Sequence, residues 1–296
     1  MKRTNIVLAA VLTGLAGPMV AQDPATSPQI PPQADPIERI VAKVRAAEDR
    51  LASVRLELST TGQMPGGLEV STKGELRVLR GAQPAVRSSL EFSFADGLTG
   101  RMESARTASG IVIFEDNPAF GELHLHLDAT IVADLEWAGG VLSRSELPGM
   151  GDSRAVTPLG SAMLADLRRS FDLEVTGRTE RGAESGQWLA GKRRAGLDQQ
   201  DPESPLADRV EIFVRDRDQA LVEVTHFLGG KRLQQIVVTR LDVDIDLPAS
   251  TFVVDGRGQR LREVQQHLPM WDQIEQVLRQ AEAKSVDGTV RPSRRK

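Results

Sequence analysis

Residues 207–255 read ADRVEIFVRDRDQALVEVTHFLGGKRLQQIVVTRLDVDIDLPASTFVVD, and this stretch decides the fold. Apolar and polar residues alternate through residues 210–215 and again through residues 241–247. Between them stand Gly229 and Gly230, and glycine reaches the positive φ of a tight hairpin turn without steric cost. Because successive side chains of a strand point to opposite faces, the pattern predicts an antiparallel meander with one buried and one solvated face.

The composition is that of a globular protein with a sizeable core. The chain has 296 residues, of which 40% are hydrophobic and 26% are charged. It has no cysteine, which excludes disulfides, thiolate metal ligands, cysteine nucleophiles and a lipidated N-terminal cysteine. The formal net charge of −4 argues against general nucleic-acid binding.

The N-terminus has the pattern of a secretory signal peptide. Lys2 and Arg3 precede an apolar run over residues 6–15, and Ala21 offers a small residue for cleavage. We therefore expect a signal peptide over residues 1–21, with an uncleaved anchor as the alternative. Loss of the two basic residues changes the formal charge from −4 to −6. The mature protein is expected to be secreted across the inner membrane, periplasmic, not lipid-anchored and without a transmembrane segment.

A linker and an amphipathic helix follow. Residues 22–35 contain four prolines among polar residues and predict an extended linker. Asp35 and Pro36 then have the residue types of a helix N-cap and first turn. Apolar residues recur at helical spacing through residues 37–54, so this helix must pack one face against another element.

Two more helical regions are predicted. Residues 158–171 place Leu164 and its apolar neighbours on one face. Residues 259–284 form a C-terminal helical extension that Pro269 is expected to split into two pieces. Residues 285–296 are predicted to be a basic disordered tail, with contact to an anionic lipid or a partner as the alternative.

The remaining segments have the period of strands. Apolar residues alternate with polar ones through residues 54–144, and turns rich in glycine interrupt the runs. Residues 173–175 and 187–190 are also predicted strands. This spacing favours a sandwich or a curved sheet approaching a barrel, and we take residues 36–258 as one domain.

The order of elements resembles the outer-membrane lipoprotein carrier (LolA-type) superfamily, whose members are periplasmic half-barrels that bind lipids or lipoproteins. The first point of likeness is a helix that leads directly into a strand at residues 53–59. The second is the glycine-led strand GELRV at residues 74–78, followed by PAVR at residues 84–87. The third is the close of the sheet with VDIDLP at residues 243–248. The resemblance covers residues 37–255.

The resemblance implies a mainly β, α+β fold: a strongly curved antiparallel sheet, or half-open barrel, covered by helices, with the C-terminal helices as an addition. It implies a cavity for acyl chains under a lid made by the helices at residues 37–54 and 159–167. Arg87 matches the family's strand-opening arginine, which helps to hold the lid closed. Leu164, Phe92, Phe94 and Phe227 are the expected ligand-binding residues, although the phenylalanines would be core residues in a sandwich.

Two patterns suggest other chemistry. His124 and His126 share one face of a strand beside Glu122 and Asp128, as zinc ligands can, and His226 is the candidate third histidine. The alternative is a solvated outer face, and we expect no metal. The triplet GDS at residues 151–153 lacks the neighbouring base of a serine hydrolase and is predicted to be a surface turn.

The sequence therefore predicts a non-enzymatic carrier or sensor that binds a lipid or lipoprotein acyl chain. No catalytic or cofactor-binding motif stands out, and no cofactor is expected. The alternative is an envelope interaction protein of the same fold, which would use its C-terminal helix to bind a protein partner.

Overall fold

The computed structural model describes residues 35–63, 68–118, 121–142, 158–181, 184–195, 207–285 and 291–294. The predicted signal peptide, the predicted linker before residue 35 and the GDS triplet lie outside the described residues.

The described strands form a single twelve-stranded sheet that is antiparallel except where β12 runs parallel to β6. The strand order is β12-β6-β5-β4-β3-β2-β1-β11-β10-β9-β8-β7. The sheet is curved and unclosed, as the half-open barrel prediction requires. The strands are β1 Ser53–Gln63, β2 Glu69–Leu79, β3 Ala85–Phe94, β4 Thr99–Thr107, β5 Gly110–Asn117, β6 Gly121–Asp128, β7 Phe171–Arg181, β8 Glu184–Arg193, β9 Arg209–Arg215, β10 Leu221–Leu228, β11 Lys231–Val243 and β12 Arg262–Glu263.

Two meanders make up this sheet. Strands β1 to β6 pair in sequence order, and so do β7 to β11. The meanders join where β1 pairs with β11, with Val54 opposite Val243. Gly229 and Gly230, at φ 56° and 76°, form the predicted tight turn between β10 and β11. The closing meander predicted from residues 207–255 is thus the part of the sheet that holds both halves together.

The α-helices of the described ranges cover one face of the sheet, which we call the inner face; the other is the outer face. They are α1 Pro36–Asp49, α2 Ala129–Val141, α3 Ser161–Ser170 and α4 Leu268–Lys284. Helices α1 and α3 pack over the β7–β10 side in one core. Helices α2 and α4 pack over β4 to β6 in a second core. Within the described part of the chain, no helix has the length and apolar character needed to cross a membrane.

The segment after β11, residues 244–261, crosses the outer face, and we call it the strap. The Thr251 carbonyl accepts a hydrogen bond from Arg87 Nη1 at 3.0 Å. Farther along, the Gln259 carbonyl lies 3.1 Å from His124 Nδ1. The strap leads to β12 at the sheet edge, and α4 then returns to the inner face.

Helix α2 was not predicted, because strands were expected through residue 144. The Asp128 carboxylate caps this helix by accepting the N–H groups of Thr130 and Ile131 at 2.8 and 3.0 Å. The helix lies between the sheet and α4, so it is apolar on several sides and lacks the one-sided stripe of a surface helix.

The C-terminal region agrees with expectation in one respect and differs in another. It consists of two helical pieces, a 3₁₀ turn at Val264–Gln266 and α4, and Pro269 stands in the first turn of the second piece, where its missing N–H costs no hydrogen bond. Arg291 and its neighbours, predicted to be disordered, form a 3₁₀ turn at Pro292–Arg294. The Asp134 carboxylate of α2 accepts from Arg291 Nε at 2.6 Å and from the Ser293 N–H at 3.0 Å.

Candidate functional site

The middle of the inner face carries an apolar groove between the two helix layers. Strands β1, β2, β3 and β11 meet there, and their deepest side chains form a small buried core around Val54 and Val78. Farther along the same strands, apolar inner-face side chains are only half-buried. These groove residues are Leu58, Leu76, Leu90, Ile236 and Val238.

Two glycines shape the floor of this groove. A Cβ at Gly74 would lie 3.2 Å from Leu58 Cδ1 and 3.5 Å from Leu90 Cδ1. Because glycine has no side chain, both leucines can pack over the backbone of β2 at this position. A Cβ at Gly100 would lie 2.2 Å from Phe92 Cζ, which places the Phe92 ring directly over that backbone. Small residues at these two positions therefore let the groove side chains spread across the sheet.

Two of the predicted ligand-binding phenylalanines lie at this groove. Phe92 and Phe94 follow Leu90 on the inner face of β3, are half-buried, and pack edge to face with ring centroids 5.6 Å apart. A depression of about 390 Å³ opens beside Phe94 and Leu233, and most of its lining is polar, including Gln63, Glu69, Ser93 and Arg232. The end of the groove near β3 is thus aromatic and borders a polar depression.

The other two predicted residues lie elsewhere. Phe227 is on the outer face, because the preceding His226 occupies the inner position opposite Val210, and the Arg209 guanidinium lies 3.9 Å from its ring centroid. Leu164 is fully buried in the core between α3, α1 and the sheet. In this structure neither side chain lines the groove.

Helices α1 and α3 are fastened to each other by a buried carboxylate. Glu48, in the last turn of α1, is 2% exposed and accepts the N–H groups of Leu159 and Ser161 at 2.7 and 3.3 Å. Burial raises the pKa of Glu48, while the hydrogen bonds from Ser161 and Leu159 act in the opposite direction. At the surface, Arg168 of α3 binds Glu38 of α1 at 2.7 Å. These contacts make the two helices a single unit.

The Glu48 contact predicts a pH dependence. Because its folded-state pKa is raised, the folded protein binds more protons than the unfolded chain at pH values between 4.5 and that pKa. The stability due to this proton is present below pH 4.5 and is lost as the pH rises through the folded-state pKa. We expect the unfolding free energy of the wild type to rise, relative to Glu48→Gln, as the pH falls from 8 towards about 5 in urea titrations.

Glu38→Gln is the matched control, because its side chain is 49% exposed. It loses only an exposed ion pair and should change the free energy of unfolding by less than about 1 kcal/mol. A stability difference between Glu48→Gln and the wild type that does not vary with pH would contradict the assignment of a raised pKa to Glu48.

Arg87 lies on the outer face and fastens the strap. Its guanidinium binds Glu103 at 2.6 Å and the Thr251 carbonyl at 3.0 Å, and Glu103 also pairs with Arg101. The resemblance implied that Arg87 holds a helical lid closed. In this structure Val86 points to the inner face, where α1 and α3 lie, so its neighbour Arg87 points to the outer face. There Arg87 holds the strap against the sheet.

The histidines of the alternative metal site do not converge. His124 and His126 are on the outer face, where His126 Nδ1 lies 3.2 Å from the Glu263 carboxylate. His226 is on the inner face, and burial lowers its pKa. Across the described ranges, no group of three or more histidine or acidic side chains is placed to hold a metal ion.

The C-terminal helix has a buried apolar stripe, while Leu268 in its first turn is 65% exposed. Its apolar stripe packs into the core with α2, and the stripe comprises Met270, Ile274, Leu278 and Ala281. A protein partner of this helix, as in the alternative function, would contact Leu268 and the polar face of the helix instead of the buried stripe.

No family model and no curated protein matches the chain. Solved structures do match, and among them are LolA-type proteins. NE2245 of Nitrosomonas europaea, a LolA superfamily protein, is 8% identical over 75% of this chain and 99% of that one, with a TM-score of 0.26. The Mycobacterium tuberculosis lipoprotein LppX is 14% identical over 71% and 99%, with a TM-score of 0.37. An uncharacterized conserved protein of Thermus thermophilus is 9% identical over 76% and 98%, with a TM-score of 0.39.

The description of this chain as a half-barrel rests on its own strand order and helix placement.

Proposed function

We propose that this protein is a carrier or sensor that binds a lipid or lipoprotein acyl chain along the inner-face groove. The acyl chain would lie across Leu58, Leu76 and Leu90 and reach Phe92 and Phe94. We further propose that the protein works in the periplasm after export, as its N-terminal sequence predicts.

One observation carries this proposal: the apolar groove side chains are only partly buried, while the side chains of the cores on both sides of them are fully buried. Exposed apolar patches on folded proteins are typical of sites that bind apolar ligands, membranes or other proteins. An acyl chain fits because each buried CH₂ contributes about 0.8 kcal/mol, so a long chain binds without any catalytic group.

The groove makes a mutational prediction. The double variant Leu76→Gln/Leu90→Gln removes two half-buried groove side chains, and we expect it to bind a fluorescent fatty acid at least about tenfold more weakly, since a tenfold change is about 1.4 kcal/mol. Affinity would be measured by fluorescence titration. The control is Leu98→Gln, because Leu98 is 50% exposed in a turn outside the groove. Equal affinity in the folded double variant and the wild type would refute the proposed groove.

The natural ligand can be sought directly. Protein purified from its own cell envelope without detergent would be extracted with organic solvent, and the extract compared with a mock purification by mass spectrometry. A stoichiometric lipid or acylated peptide is the expected result. An empty extract, together with failure to bind the fatty acid probe, would overturn the proposed function.

A further inference from the structure

Four arginines surround a depression of about 440 Å³ on the surface of α1 and α3. Arg45 comes from α1, Arg168 and Arg169 come from the last turn of α3, and Arg194 follows β8. Among the described residues, no carboxylate lines this depression, and the other lining residues are Val41 and Ala165. Arginine side chains from three separate elements therefore line the same depression.

Acidic neighbours occupy only part of the hydrogen-bonding capacity of these arginines. Arg168 binds Glu38 at 2.7 Å and lies 3.6 Å from Asp35, Arg169 binds Asp166 at 3.0 Å, and Arg194 binds Asp172 at 3.0 Å. A guanidinium has five N–H donors, so an arginine that binds one carboxylate can still donate to a second anion. Arg45 makes no ion pair or hydrogen bond with any residue in the described part of the chain.

A purely structural explanation covers two of the four residues. Positive side chains are favoured in the last turn of a helix because the helix dipole is negative there, which accounts for Arg168 and Arg169. Arg45 and Arg194 lie outside that turn, so the dipole gives no reason for them. Their convergence on the same depression is what points to a ligand.

We propose that Arg45, Arg168, Arg169 and Arg194 form a binding site for a phosphate group. Planar guanidinium groups match the geometry of phosphate oxygens better than any other side chain. The depression is open to solvent, so it can receive either the phosphate of a lipid headgroup or free inorganic phosphate. The site lies outside the groove and does not depend on acyl-chain binding there.

The test compares two double variants of the full chain that lose the same charge. Arg45→Gln/Arg194→Gln removes half of the site and spares Arg168, which ties α3 to α1. The control Arg279→Gln/Arg262→Gln removes two exposed arginines on α4 and β12. Binding would be measured by cosedimentation with vesicles of equal parts phosphatidylglycerol and phosphatidylcholine, and by calorimetric titration with inorganic phosphate, both in low salt because salt screens exposed charges.

We expect the site variant to bind these vesicles at least about tenfold more weakly than the wild type, and the control variant to lose less than about twofold. Calorimetry identifies the source of the phosphate: if inorganic phosphate binds the wild type but not the site variant, the site accepts free phosphate. Equal losses in the two double variants would overturn the proposal, because they would indicate general charge attraction. Binding unchanged in both variants, or absent from the wild type with both probes, would also overturn it.

The same proteins separate this site from the groove. The site variant should bind the fatty acid probe as the wild type does, while Leu76→Gln/Leu90→Gln should keep its vesicle affinity within about twofold. Loss of both activities in both variants of a folded protein would contradict the independence of the two sites.

Discussion

Replacing Leu164 with Asp is expected to destabilise the protein by at least about 4 kcal/mol, because the change removes a fully buried leucine and places a carboxylate in the core. The damage should centre on α1 and α3, which pack together around this side chain. Urea unfolding followed by circular dichroism would measure the loss. Such a variant would lose lipid binding through unfolding, so it would not report on the groove.

Met163→Asp is the matched control, because Met163 is the preceding residue of α3 and is 40% exposed. It introduces the same charge one position away, and we expect it to cost less than about 1 kcal/mol. If the two variants unfolded at the same urea concentration, the burial of Leu164 described here would be incorrect.

The second large effect is expected at the C-terminus, where Arg291→Ala should destabilise the protein by about 3 kcal/mol. Asp134 is 1% exposed, and its carboxylate binds Arg291 Nε at 2.6 Å. Glu282 and Glu275 approach the same guanidinium at 3.8 and 3.9 Å. Removing the arginine leaves a buried carboxylate without its cation, beside two more acids. Thermal and urea unfolding would both measure the loss.

Two further variants test the cause. Arg279→Ala removes an exposed arginine that pairs with Glu275 within α4, and it should cost no more than about 0.5 kcal/mol. Adding Asp134→Asn to Arg291→Ala should restore part of the stability, since it removes the unpaired charge. Additive losses in that double variant would show that the ion pair does not couple the tail to α2.

The alternating strands were predictable because their spacing alone shows which face is buried. The meander of residues 207–255, the glycine turn and the placement of Phe92 and Phe94 on one face all follow from a period of two. Helix α1 followed from its one-sided apolar stripe and its starting residues, and α3 followed from its stripe alone, since it begins at Ser161 and not at residue 158 as predicted. Together they were enough to predict a helix-covered, curved sheet.

The parts that escaped prediction depend on contacts between distant residues. Helix α2 is enclosed between the sheet and α4, so its sequence has no polar side to reveal the helical period. Strand β4 carries buried Glu103 and Ser104, whose polarity is explained by Arg87 and Ser88 on β3 and by Arg101 on β4 itself. Arg291 looked like part of a free tail, because nothing in the sequence connects it to Asp134.

The groove was predicted as a class of site but not as a set of residues. Alternation shows only that Phe227 and His226 point to opposite faces of the sheet. The pairing of β10 with β9 determines that His226 is on the inner face and Phe227 on the outer face. Leu164 belongs to the apolar stripe of α3, but a stripe does not distinguish a residue packed in a core from one that borders a cavity.

The join between β1 and β11 has a consequence for how the chain reaches its native state. Each meander can assemble from neighbouring strands, which is fast because the loops to be closed are short. The ladder between β1 and β11 must wait for residues near the end of the chain, and the strap can cross the sheet only after it. During that interval both halves present an unpaired strand edge. An unpaired strand edge is a template for aggregation, so a newly synthesised molecule is most prone to aggregate before this ladder forms, and a chaperone that covers β1 until then would reduce aggregation.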